Sequence, residues 1–168
     1  MRNENRSRLQ ASSWFAVVRA YQECNRRYSQ VLAAFDLTVP QFDVMMAILA
    51  LDRGATPKAI AERLVVTRGN ITGVLHRLQA RALIATERHD QDRRSFVCRL
   101  TEEGRALLAV ARHAASLFIE RQLAPFDAAE LRATERTMIQ MRAHLQTIDP
   151  EEIVANVLTE PPGGKREK

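Results

Sequence analysis

Only two cysteines occur in the 168 residues, and Cys24 and Cys98 stand far apart with no Cys-x-x-Cys spacing. Neither a disulfide framework nor a cysteine metal site is expected, and a reducing cytoplasm is the default location. No eighteen apolar residues follow one another without a charge, and the first fifteen residues carry Arg2, Arg6 and Arg8 but no apolar run. A membrane span and a secretory leader are therefore not expected. The four histidines, His76, His89, His113 and His144, have neither His-x-x-x-His nor His-Glu-x-x-His spacing, and no phosphate loop or Gly-x-Ser-x-Gly elbow occurs. Without converging catalytic groups the chain reads as a non-enzyme that needs no metal or cofactor. Glycine and proline, six of each, are sparse before the tail. Such a sequence favours helices.

What is present is a localised charge. The net charge is +5, and between Arg53 and Arg105 there are 11 Lys or Arg against 6 Asp or Glu. That third of the chain carries the entire excess. Ten of its 11 cations are arginine, the better fork for phosphate. A basic segment on a neutral body is the footprint of a protein that meets nucleic-acid backbones, although a solvated basic face is the plainer alternative. The hydrophobic content of 46% suffices for one packed core.

Apolar periodicity gives the element order. A first helix, about 12–36, carries Trp14, Val17, Tyr21, Cys24, Tyr28, Val31 and Phe35 at alternating steps of three and four. Pro40 opens a second helix, with Phe42, Met45, Met46 and Leu49 as its buried face and Arg53-Gly54 as its end. Thr56 caps and Pro57 opens a short third helix, where Ala59, Ile60 and Leu64 face inward and Val65-Val66 closes. Thr67 is the N-cap of a fourth helix to about Arg81, whose Ile71, Val74, Leu75 and Leu78 share one face. Two alternating stretches, 83–88 and 95–100, flank the charged tip 89–94 and predict a β-hairpin. Thr101 caps a fifth helix with Leu107, Val110, Ala114 and Phe118 as its stripe. Pro125 breaks the chain, and Asp127 with Glu130 makes a capping box for a sixth helix bearing Leu131, Thr134, Met138, Met141, Leu145 and Ile148. Asp149-Pro150-Glu151-Glu152 begins a short seventh helix, and from Glu160 the tail reads as disordered.

The expected fold is mainly α with a small β-hairpin wing. Helix, turn, capped helix and basic-tipped hairpin follow in the order of a winged helix-turn-helix, whose second helix enters the major groove. With Ile71, Leu75 and Leu78 buried, the outer side of that helix carries Gly69, Thr72, Gly73, His76 and Ala80, flanked by Thr67, Arg68, Asn70 and Arg77. Arg68 suits guanine, Asn70 adenine, and Thr72 a base edge or thymine methyl, while Thr67 and the amides of the helix start suit a phosphate. An ordinary solvated face would hold Glu and Lys instead of two glycines, each costing about 1 kcal/mol against alanine.

Residues 56–83, the Asp-x-Asp-Arg-Arg-Ser run from Asp90 to Ser95, and Leu100-Thr101-Glu102-Glu103-Gly104 together resemble the MarR family of transcriptional regulators. The resemblance implies a long first helix and two C-terminal helices that interlock with a second subunit. It therefore implies a homodimeric, cytoplasmic repressor of double-stranded DNA with a palindromic operator. The implied division is a dimerisation arm and helix over 1–36, a DNA-binding lobe over 37–101, C-terminal dimerisation helices over 102–159 and a tail over 160–168. By position, Asp92 holds Arg94, Arg94 enters the minor groove and Arg93 meets the backbone; a narrow minor groove attracts arginine on electrostatic grounds as well.

The resemblance also implies release by a small aromatic or phenolic ligand in a cleft. Trp14, Tyr21, Phe42, Met46 and His113 are candidates to line it, although each is also a candidate core residue and the residues alone favour the core. Some relatives sense peroxides through a first-helix cysteine, which makes Cys24 the basis of an alternative, a thiol-based redox regulator. Its place on the stripe with Tyr21 and Tyr28 argues for an inert, buried thiol instead. A basic helical protein whose hairpin docks an acidic protein partner is the other alternative.

Overall fold

The computed structural model describes residues 2–88 and 96–159, without the side chains of residues 2–4, Arg53 and Arg68. The elements are α1 (Arg2–Ala33), α2 (Val39–Leu51), a 3-10 turn (Asp52–Gly54), α3 (Pro57–Leu64), α4 (Arg68–Ala80), β1 (Ile84–Arg88), β2 (Phe96–Leu100), α5 (Glu102–Leu123), α6 (Ala128–Leu145) and α7 (Pro150–Thr159). The expected order, mainly helical with one antiparallel hairpin, is the observed one. The chain divides into two compact units, one up to Arg121 and one from Gln122 onward. No described helix is long and apolar enough to cross a membrane.

In the first unit the core gathers Leu32, Met45, Ile60, Leu78, Leu100 and Leu108 among others. The helix α2 touches α1, α3, α4 and β2, so it is covered nearly all round. Its buried residues are Gln41, Phe42, Val44, Met45, Ala47 and Ile48. The expected one-sided face is corrected accordingly: Leu49 is exposed and Met46 only half-buried. Buried Gln41 is satisfied by a capping box, its Oε1 accepting from the Thr38 amide at 2.9 Å and from the Thr38 hydroxyl at 3.2 Å. The box offsets the cost of covering an amide side chain.

The first helix starts ten residues earlier than the sequence suggests. Ser12, the expected start, lies inside the helix and turns its hydroxyl back onto the Leu9 carbonyl at 3.0 Å, a bond that a helix interior accommodates. At its other end α1 stops at Ala33, and Asp36 takes a left-handed conformation with φ 54° as the chain turns.

The third helix is capped as the sequence predicts, the Thr56 hydroxyl accepting from the Ala59 amide at 3.2 Å. It buries Ile60 and Ala61, whereas Ala59 and Leu64 are half-buried. The hairpin pairs Ile84 with Leu100 and Arg88 with Phe96. Strict alternation fails on β2, where Val97, Cys98 and Leu100 are all buried. The reason is a third neighbour: the Cys98 amide donates to the Ala55 carbonyl at 2.9 Å, so the outer edge of β2 is covered. Cys98 therefore lies in the core.

On α5 the buried face is Gly104, Leu108, Ala111 and Ala115, one position on from the expected Leu107, Val110, Ala114 and Phe118. Bulk misled the sequence reading. Three of the four buried residues are small, and Val110 is left exposed. The turn before β1 is drawn tight by Leu83, whose amide donates to the Leu78 carbonyl at 3.0 Å, and by Ala82 at φ 56°. An alanine is strained there where glycine is not. Replacing Ala82 by glycine is expected to stabilise the fold by about 0.5–1 kcal/mol, raising the melting temperature by about 2 °C at fixed protein concentration. A lower melting temperature would show the strain to be already relieved.

In the second unit the predicted capping box is present in full: the Asp127 carboxylate accepts from the Ala129 and Glu130 amides at 2.7 and 2.8 Å, and Glu130 returns to the Asp127 amide at 2.9 Å. Asp149 likewise accepts from the Glu151 amide at 2.9 Å at the start of α7. No residue of α6 or α7 is buried. Met138, Ile139, Leu145, Ile153, Val157 and Leu158 all lie open to solvent. The tail from Glu160 lies outside the described residues.

Candidate nucleic-acid interface

The helices α3 and α4 pack on α2 and on each other, which leaves one side of α4 in solvent. Ile71, Val74, Leu75 and Leu78 face the core, whereas Gly69, Asn70, Thr72, Gly73, His76, Arg77 and Ala80 are exposed. The division is the one a period of 3.6 demands. A Cβ added at Gly69 would meet nothing within 4 Å, and one at Gly73 would meet only the Arg77 guanidinium, at 3.7 Å. Nothing inside the protein therefore requires glycine at either position. Both cost helix stability, and both leave the backbone bare toward solvent.

Thr67 precedes α4 with the extended backbone of an N-cap, yet its side chain makes no capping hydrogen bond. The expected cap position is right and the expected bond is not formed. Lys58, Glu62, Val65, Val66, Thr67 and Asn70 line an open concavity of about 780 Å³ at the turn between α3 and α4. Glu62 leans toward Lys58 at 3.8 Å. A second cleft, of about 480 Å³, lies between α4 and the hairpin and is lined by Pro57, Thr72, His76, Gln79, Thr86 and Phe96 among others.

The hairpin rises beside α4, its strands held by five paired positions and by an ion pair between Arg99 and Glu87. The tip residues Asp92, Arg93 and Arg94 lie outside the described residues, as does the side chain of Arg68. Sequence reasoning passed over Val65 and Val66, which it treated as the mere end of α3. They are 85% and 43% exposed. Two adjacent valines in a turn, where glycine or asparagine is usual, were the available signal.

The candidate ligand residues occupy different settings. Phe42 is core, ring edge to Tyr28 at 6.2 Å, and Met46 is half-buried. Trp14, Tyr21 and His113 are exposed, Trp14 packing only edge-on against Phe15 at 5.0 Å among ring contacts of the described residues. Cys24 is half-buried and Cys98 fully so; burial pushes the Cys98 thiol up to about 11. A thiol so shifted stays protonated, and unreactive, at neutral pH.

This arrangement of three helices, hairpin and exposed second helix is a winged helix-turn-helix. Residues 35–95 match the model of the MarR family. An HTH-type transcriptional regulator of Bacillus cereus is 34% identical over 95 residues, covering 56% of this chain and 62% of the relative, so the match spans less than two thirds of that protein's length. The Bordetella bronchiseptica protein BpsR, in a structure concerned with regulation of its DNA binding by 6-hydroxynicotinic acid, superimposes with a TM-score of 0.68 at 27% identity, covering 76% of this chain and 91% of its own. The Staphylococcus aureus MepR in its DNA complex superimposes with a TM-score of 0.70 at 21% identity over 80% of this chain and 95% of its own. Residues 35–95 are thus similar to the MarR family, and the two solved structures share the winged-helix fold.

Proposed function

We propose that the protein is a homodimeric, cytoplasmic transcriptional repressor that binds a palindromic operator in double-stranded DNA. In this reading α4 enters the major groove, with Thr67, Arg68, Asn70, Thr72, Gly73, His76 and Arg77 toward the duplex. The wing over 88–95 enters the adjacent minor groove through Arg94, oriented by Asp92, with Arg93 on the backbone. The observation that carries the reading is the outer face of α4: two glycines that the fold itself does not need, in the most basic third of the chain. Bare backbone on a cationic helix fits the close approach of a phosphate-lined groove.

Dimerisation is supported by the exposed apolar residues of α6 and α7, more than a monomer ordinarily leaves in water. A small aromatic acid is the class of effector that the Bordetella relative suggests. Selection of bound duplexes from random DNA tests the core of the proposal. The expected product is a palindrome whose half-site centres lie about 10 base pairs, or a multiple, apart. Recovery of no preferred sequence would overturn it. With the selected site in hand, Asn70→Ala is expected to relax preference at one base pair by about 1–3 kcal/mol, while Arg94→Ala weakens every sequence alike. Unchanged affinity in the Arg94 variant would remove the wing from the interface.

A further inference from the structure

The turn between α3 and α4 holds a residue that is wrong for its backbone. Val65 sits at φ 57° and ψ 45°, the left-handed region. A β-branched side chain is a rare and strained occupant there, where glycine or asparagine would be at ease. Nor is the side chain repaid inside the protein, being 85% exposed. The fold uses this backbone conformation, which closes α3 as the Val66 amide donates to the Ala61 carbonyl at 3.1 Å, but it does not use the isopropyl group, and a strained side chain with no role inside points to a use outside. Val65 shares its concavity with Lys58, Thr67 and Asn70, at the very start of α4.

We propose that Val65 is a specificity residue whose isopropyl group packs against the C5 methyl of a thymine at the edge of each half-site. The inference rests on the DNA-binding reading above and deepens it. Among the groups that a major groove displays, the thymine methyl is the apolar one, so an exposed valine beside Asn70 and Lys58 has one matching contact. Lys58 supplies the neighbouring phosphate with a cation, and Asn70 a donor and acceptor for adenine. The half-site thus contains a thymine next to the adenine that Asn70 reads.

The test replaces single thymidines by deoxyuridine in the selected duplex, which removes one methyl and leaves every hydrogen-bonding group. The parent protein is expected to lose about fourfold in affinity for each half-site at one position. Val65→Gly and Val65→Asn, both at ease in the turn, are expected to melt at or above the parent temperature and to be indifferent to deoxyuridine at that position alone. A thymine read by Thr72 would keep its penalty in both variants. Equal affinity of the parent for both duplexes overturns the proposal, as does an undiminished penalty in the variants or a clear fall in their melting temperature, and in each case operator binding still stands. If the parent prefers no duplex at all, the DNA-binding reading falls with it.

Discussion

Gly104→Ala is expected to destabilise the protein by about 3 kcal/mol, the largest cost of a methyl group added at any of the described glycines. Gly104 lies in the first turn of α5, where an added Cβ would come within 2.0 Å of the Leu83 carbonyl oxygen and 2.9 Å of its carbon. Neither neighbour can yield cheaply. That same oxygen accepts the Thr101 amide at 3.1 Å, and the Thr101 hydroxyl accepts the Gly104 amide at 2.9 Å while donating to the Ala82 carbonyl at 2.8 Å. Relief therefore means moving backbone, with loss of the α5 cap and of the turn into β1. The expected drop in melting temperature is about 6–12 °C. Thermal and urea unfolding at one protein concentration measure it, and a variant within about 0.5 kcal/mol of the parent would show that α5 can slide away without penalty.

The steepest response expected of the protein is to salt. Five cations per protomer, Lys58, Arg68, Arg77, Arg93 and Arg94, are assigned to the duplex in the proposed dimer, about ten in all. Each neutralised phosphate releases condensed counterions, so log affinity should fall against log salt with a slope of about −9. Between 50 and 200 mM salt the loss is on the order of 100,000-fold. Titration of one labelled duplex at several salt concentrations suffices. A slope shallower than about −3, with no preference among sequences, would instead favour a basic helical protein docking an acidic protein partner. Neutralising Lys58, one contact in each protomer, should flatten the slope by about two. That small change separates a phosphate contact from a residue lost to misfolding, which would abolish binding at every salt.

Much of the architecture was open to reading because its signals are local. Thr56-Pro57 and Asp127 with Glu130 act within three residues of themselves, and both form the bonds that their spacing implies. The outward face of α4 was legible for a related reason, since four apolar residues fix the wheel and the rest follows. What escaped depends on contacts between distant segments. The face of α5 is chosen by Gly104 pressing on Leu83, and small residues carry no hydropathy signal to announce it. Cys98 is buried because Ala55, far off in sequence, covers the edge of β2. Gln41 reads as polar and is in fact a cap turned inward. Val65 looked like an ordinary apolar stop until its left-handed backbone and its exposure were both known.

Leu83 binds three neighbours at once: its amide holds the end of α4, its carbonyl holds the entry to α5, and the next residue begins β1. Such a junction leaves no cheap way for α4 to fray from its C-terminal end. Amide protons there and in the opening turn of α5 must exchange with solvent through one shared opening, so α4 is only as loose as the helix that follows it.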